Sequence, residues 1–208
     1  MKKILKIVIA LTIVITLSAC GLKENTNKPE KNENIINGSS TVILYFSATN
    51  NTRNVAKYLS ELTNADLIEI VPKEKYTSAD LNYNDSNSRV SKEHSDSSVR
   101  PAIEDELALE NYDTIFLGYP IWWGEAPRII LTLLDNYNLE WKNIILFATS
   151  ASSGIESSVN SLAKYNNNLN IITSKRFSSS ASKEEVSNWL EEEHIEIETD
   201  EKGAKNND

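Results

Sequence analysis

The chain of 208 residues is 40% hydrophobic, enough for one ordinary domain with a buried core. It carries 30 acidic against 21 basic residues, a net charge of −9, which disfavours nucleic acid and anionic membrane surfaces as partners. One cysteine rules out an internal disulfide and any C-x-x-C redox or zinc chemistry.

The first element is a leader. Lys2, Lys3 and Lys6 precede an apolar run, Ile7 to Leu17, that is too short for a transmembrane helix but suits a signal peptide over residues 1–19. Leu17-Ser18-Ala19-Cys20 resembles the bacterial lipoprotein box, which implies lipidation of Cys20 and anchoring at the extracytoplasmic face of the cell membrane. Removing the leader takes away three lysines and no acids, leaving 18 basic against 30 acidic residues, a net charge of −12. Residues 20–40 are rich in Lys, Glu, Asn and Ser and read as a tether.

Folded sequence is expected over 41–196, with a charged tail over 197–208. Thr41–Phe46 is an apolar strand. It runs into Ser47-Ala48-Thr49-Asn50-Asn51-Thr52, and a helical pattern follows through Val55, Leu59 and Leu62. Strand, hydroxyl-rich turn and helix start together aim N–H groups and a dipole end at one point, which suits a phosphate. Residues 65–70 form a second strand. The stretch 72–108 is polar and reads as a surface excursion with a short helix near 87–94. A third strand, Tyr112–Gly118, leads into Tyr119-Pro120-Ile121-Trp122-Trp123-Gly124, and Pro127 suits helix position N1. A fourth strand, Asn143–Ala148, leads into Thr149-Ser150-Ala151-Ser152-Ser153-Gly154. Ile155, Val159 and Leu162 then recur at helical spacing. Ile171-Ile172 marks a short fifth strand, and Ser182-Lys-Glu-Glu185 is a capping box opening the last helix. Alternating strands and helices, with continuously apolar strands, predict an α/β doubly wound five-stranded parallel sheet. Ligands of such sheets bind beyond the carboxyl ends of the strands, so the loops after strands one, three and four are expected at one rim.

Phe46–Thr52, Tyr119–Pro127 and Thr149–Gly154 resemble the three FMN loops of the flavodoxin family, in its Tyr-Pro-Ile-Trp-Trp branch. Asn50 stands where that family usually has glycine, and asparagine is the residue that best tolerates a left-handed backbone. Ala151 and Ser152 stand where the branch often has glycines. The resemblance implies strand order 2-1-3-4-5 and FMN as cofactor. Ser47, Thr49 and Thr52 would donate to its phosphate, helped by N–H groups from Thr49 to Thr52. Trp122 or Trp123 would stack on the ring, the other packing inward. Gly124 and Gly154 would let backbone approach ring edges. The implied function is electron transfer, as a carrier or as an FMN-dependent reductase linked to a quinone or NAD(P)H, with an unidentified redox partner or small acceptor. No catalytic side chain is implied. A second reading is a binding or adhesion lipoprotein that reuses the fold without redox turnover. A third is an esterase using Ser150 or Ser152, although no G-x-S-x-G elbow exists. His94 and His194 lack metal-ligand spacing.

Overall fold

The computed structural model describes residues 34–37 and 40–198. The leader, Cys20, the earlier part of the tether and the last residues of the tail lie outside the described residues. Five parallel strands form the central sheet: β2 (Thr41–Tyr45), β3 (Asp66–Glu69), β4 (Thr114–Pro120), β5 (Asn143–Thr149) and β6 (Asn170–Phe177). Their order is β3-β2-β4-β5-β6, which is 2-1-3-4-5 counted from Thr41. Side chains of β2 alternate across the sheet. Val42 and Leu44 enter one apolar layer while Ile43 and Tyr45 enter the other.

Helices cover both layers. α1 (Asn51–Thr63) and α5 (Lys183–Glu192) bury Val55, Ala56, Leu59, Val186, Trp189 and Leu190 on one face. α3 (Arg128–Asn136) and α4 (Glu156–Tyr165) cover the other face, with Ile129, Ile130, Leu133 and Leu162. Val55 and Leu59, which predict α1, fill its layer, whereas Leu62 of the same pattern is exposed. Ser182 caps α5 by accepting the Glu185 N–H at 3.1 Å, as the capping box predicts. Gly118 is fixed by packing rather than by its backbone. It lies opposite Phe147 in the neighbouring strand, and a Cβ there would fall 2.0 Å from the Phe147 ring.

Three features depart from the sequence reading. β6 runs eight residues, where only Ile171-Ile172 is legible as strand. It is an edge strand, half exposed, so Ser174, Lys175 and Arg176 sit where a buried strand would be apolar. A second, two-stranded sheet joins β1 (Asn34–Asn37) in parallel to β7 (Ile195–Glu198), so strand structure reaches into the expected tether and the expected tail. The excursion after β3 is not purely superficial. It contains α2 (Arg89–Ser95), where a short helix is expected, but it also buries Val90, Leu107 and Leu109 in the core.

Candidate functional site

At the carboxyl ends of the strands lies an open cleft of about 460 Å³, within the usual range for small-molecule sites. Three loops distant in sequence meet there. Ala48, Thr49 and Asn51 come from the β2–α1 turn, and Pro120, Ile121 and Trp122 from the end of β4. Thr149, Ser150, Ala151, Ser152 and Ser153 come from the end of β5. The backbone locks the loops together. The Phe46 N–H donates to Gly118 O at 2.9 Å, Ile121 N–H to Thr149 O at 2.9 Å, and Ser150 N–H to Phe177 O at 3.1 Å.

The β2–α1 turn presents donors that suit an anion. Asn50 caps α1 in the left-handed region, φ 66°, so this asparagine adopts the conformation a glycine would supply. No side chain caps the helix, and its first intrahelical bond is Asn54 N–H to Asn50 O at 3.0 Å. The N–H groups of the first turn therefore lack an intrahelical acceptor and stand at the positive end of the dipole. Ser47 Oγ is buried without a hydrogen-bond partner. Buried hydroxyls normally find one, so an unpartnered hydroxyl in this turn fits a phosphate acceptor. Arg53 does not serve as the counter-charge. Its guanidinium is held by both Glu69 carboxylate oxygens and by Asn50 Oδ1, which ties the turn to β3. Hydrogen bonding to Glu69 raises the Arg53 pKa further. An anion at this turn would meet neutral donors and the helix dipole.

Not every predicted site residue faces this cleft. Ser47 and Asn50 line a neighbouring hollow of about 270 Å³ behind the turn, together with Arg53 and Lys75. The Thr52 hydroxyl is buried and shares a 2.8 Å hydrogen bond with Thr149 Oγ. Gly124 and Gly154 are absent from the lining. Gly124 is instead demanded by its turn. Trp122 and Glu125 exchange backbone hydrogen bonds of 2.9 and 3.0 Å, and the intervening Trp123 and Gly124 have φ of 49° and 81°. Two positive φ values in a two-residue hairpin make a type I′ turn, which glycine favours at its second position.

The two tryptophans part company at this turn. Trp122 is 7% exposed, lines the cleft, and meets Phe46 and Tyr76 edge-on at 5.7 and 5.4 Å. Trp123 is 41% exposed and stacks on His94 at 4.7 Å, with Tyr83 tilted against it at 4.8 Å. One residue, Trp122, thus both packs inward and forms the wall. In the third loop, Ser150 Oγ accepts the N–H groups of Ser152 and Ser153 at 3.2 and 2.9 Å. That occupies the Ser150 oxygen in shaping the turn, and neither histidine of the chain lines the cleft.

Sequence reasoning missed four lining residues: Leu81, Tyr83, Ser153 and Ser179. Leu81 and Tyr83 belong to the excursion after β3, and Ser179 follows β6. The rim rule applies to every strand of a parallel sheet, so the loops after the second and fifth strands were also candidates. The one titratable group in the lining is Tyr83, whose hydroxyl is raised by burial.

The sequence pattern of the flavodoxin family matches residues 40–193. A candidate flavoprotein of known structure from Bacteroides uniformis is 41% identical over 74% of this chain and 99% of its own, with a TM-score of 0.71. Another, from Bacteroides eggerthii, is 38% identical over 74% of this chain and 96% of its own, with a TM-score of 0.69. A flavoprotein from Lactobacillus acidophilus, solved in complex with FMN, is 30% identical over 73% of this chain and 98% of its own, with a TM-score of 0.56. No curated protein matches. The chain belongs to the flavodoxin family.

Proposed function

We propose that this flavodoxin-family chain binds FMN in the cleft described above and transfers electrons through it while tethered to a membrane by Cys20. The observation that carries the reading is the convergence of the three loops on one cleft, with an uncapped helix start and a buried, unpartnered Ser47 hydroxyl beside it. The complex of the Lactobacillus acidophilus relative with FMN supports the choice of ligand.

The residues have separable duties. Thr49 and the first-turn N–H groups of α1 hold the phosphate, with the Ser47 hydroxyl behind the turn. Trp122 and Tyr83 supply apolar walls for a flat ring, and Ser150 shapes the third loop against its edge. FMN, when bound, supplies the redox chemistry; the protein supplies binding, orientation and electrostatics. Among the described residues no Asp, Glu, Lys or Arg lines the cleft, and the whole chain is acidic. Added negative charge is therefore disfavoured there, and the potential of the bound cofactor is set low.

The lipoprotein box at Leu17–Cys20 supports the tether. Anaerobic reduction of the FMN-loaded chain, followed by mixing with an oxidised quinone or a one-electron acceptor protein, tests the redox reading. Stoichiometric reoxidation by either acceptor is expected. An FMN complex that dithionite cannot cycle would favour the alternative, a binding or adhesion protein without redox turnover.

A further inference from the structure

The edge of the sheet opposite the cleft carries an unusual residue. Trp141, between α3 and β5, is 89% exposed and has a φ of 68°. Its turn is closed by Lys142 N–H to Leu139 O at 3.3 Å, so Glu140 and Trp141 are the two central residues. A positive φ at the second central position is ordinarily met by glycine or asparagine, and a bulky residue there is strained. The turn is nevertheless well anchored. Leu139 is buried, the Asn138 Oδ1 accepts the Glu140 N–H at 2.9 Å, and Lys142 Nζ donates to Tyr112 O at 2.6 Å. A rigid post thus presents an indole to the outside, and no other aromatic ring among the described residues packs on it.

The surroundings say what it meets. The Ser40 carbonyl accepts the Asp113 N–H at 2.8 Å, and the Asp113 carbonyl accepts the Asn143 N–H at 2.8 Å. The chain therefore enters the sheet about 10 Å, two strand spacings, from Asn143, which is two residues from Trp141. Cys20 lies upstream of that point, and the segment from Cys20 to Asn34 spans at most about 50 Å fully extended.

We infer that Trp141 seats this edge of the domain in the headgroup zone of the bilayer that holds Cys20. The inference rests on the tether proposed above. Indoles favour that zone because one side of the ring is apolar and its N–H can stay hydrated. A single indole binds weakly, but the tether raises its effective concentration into the millimolar range. Exposed Glu110, Asp113 and Glu140 lie on this edge with Lys142, so zwitterionic headgroups suit this face and anionic ones oppose it. Seating this edge turns the cleft away from the bilayer, about 23 Å off along the seven-residue strands β4 and β5.

The test uses the full chain, produced in a bacterium and reconstituted into phosphatidylcholine vesicles brominated on the acyl chains. The mass of the Cys20 peptide reports the tether, and bromine quenching of tryptophan emission reports the docking. Trp141→Phe is expected to lower bromine quenching at least about twofold, whereas Trp123→Phe leaves it unchanged. Trp141→Gly suits the positive φ, so it is expected to raise the unfolding midpoint while losing the quenching. Anionic lipid in the vesicles is expected to weaken quenching of the unaltered chain. Lipidated protein whose quenching is the same with and without Trp141 overturns the docking and leaves the tether standing. An unmodified Cys20 overturns the tether, and the docking with it.

Discussion

Thr52 Oγ and Thr149 Oγ lie 2.8 Å apart, both buried, although 97 residues separate them in the chain. Thr52 sits in the first turn of α1 and Thr149 ends β5, so this bond fastens the anion turn to the third loop. Its partners are mutually dependent. Thr52→Val or Thr149→Val alone leaves a buried hydroxyl unsatisfied and is expected to cost about 1–3 kcal/mol of stability. The double substitution should cost less than the sum of the two. Urea unfolding of the four proteins measures this, and strict additivity would show that the bond does not couple the loops.

Asn50 offers a sharper probe of backbone than of side chain. At φ 66°, Asn50→Gly keeps the turn, and FMN affinity should stay within about threefold. Asn50→Ala must hold a Cβ in the left-handed region and is expected to lose about 1–2 kcal/mol. FMN titrations of both variants check the order. Equal losses would mean that the Asn50 side chain, which accepts from Arg53, matters more than the conformation.

The paired tryptophans should respond unequally. Trp122 is buried against Phe46 and Tyr76, so Trp122→Ala is expected to cost about 3–5 kcal/mol of stability and to weaken FMN. Trp123→Ala removes the stack on His94 but no cleft wall. Its loss in FMN affinity should stay under about 1 kcal/mol. Thermal melts with and without FMN separate the two effects. A larger affinity loss at Trp123 would relocate the ring.

Acid stability depends on Asp135. The Tyr165 hydroxyl donates to its carboxylate, and Arg100 pairs with it at 2.7 Å; together they hold its pKa below the usual carboxylate value. A depressed folded pKa contributes stability that is complete above the unfolded value, about 3.9, and is lost as pH falls through the folded value. Asp135→Asn should therefore be less stable than the unaltered chain at neutral pH, with the gap closing below about pH 4. Denaturant midpoints across pH test it, and a gap independent of pH would contradict it.

Much of this arrangement is legible in the sequence because the signals are local. The apolar run into Ser47–Thr52, the Ser182 cap and the helical spacing of α1 each need only a short window of chain. The anion turn survived its odd residue because asparagine reaches φ 66° without help from elsewhere. What escaped depends on distant partners. The Thr52 hydroxyl looked free until Thr149 was brought beside it. Tyr83 sits in a polar stretch whose pattern says surface, yet the loop after β3 folds back over the rim. β6 escaped for the opposite reason, since an exposed edge strand has no need of an apolar pattern.

The central claim is that one cleft seats a phosphorylated flavin by neutral donors at the start of α1. Parallel titration of the full chain and of Thr49→Ala with FMN and with riboflavin, followed by flavin fluorescence, tests it most directly. The account predicts one FMN per chain, weaker riboflavin binding, and a loss of about tenfold for FMN but none for riboflavin on Thr49→Ala, as expected for one hydrogen bond to a charged group. Absence of binding at micromolar FMN, or an equal loss for both ligands, would contradict it.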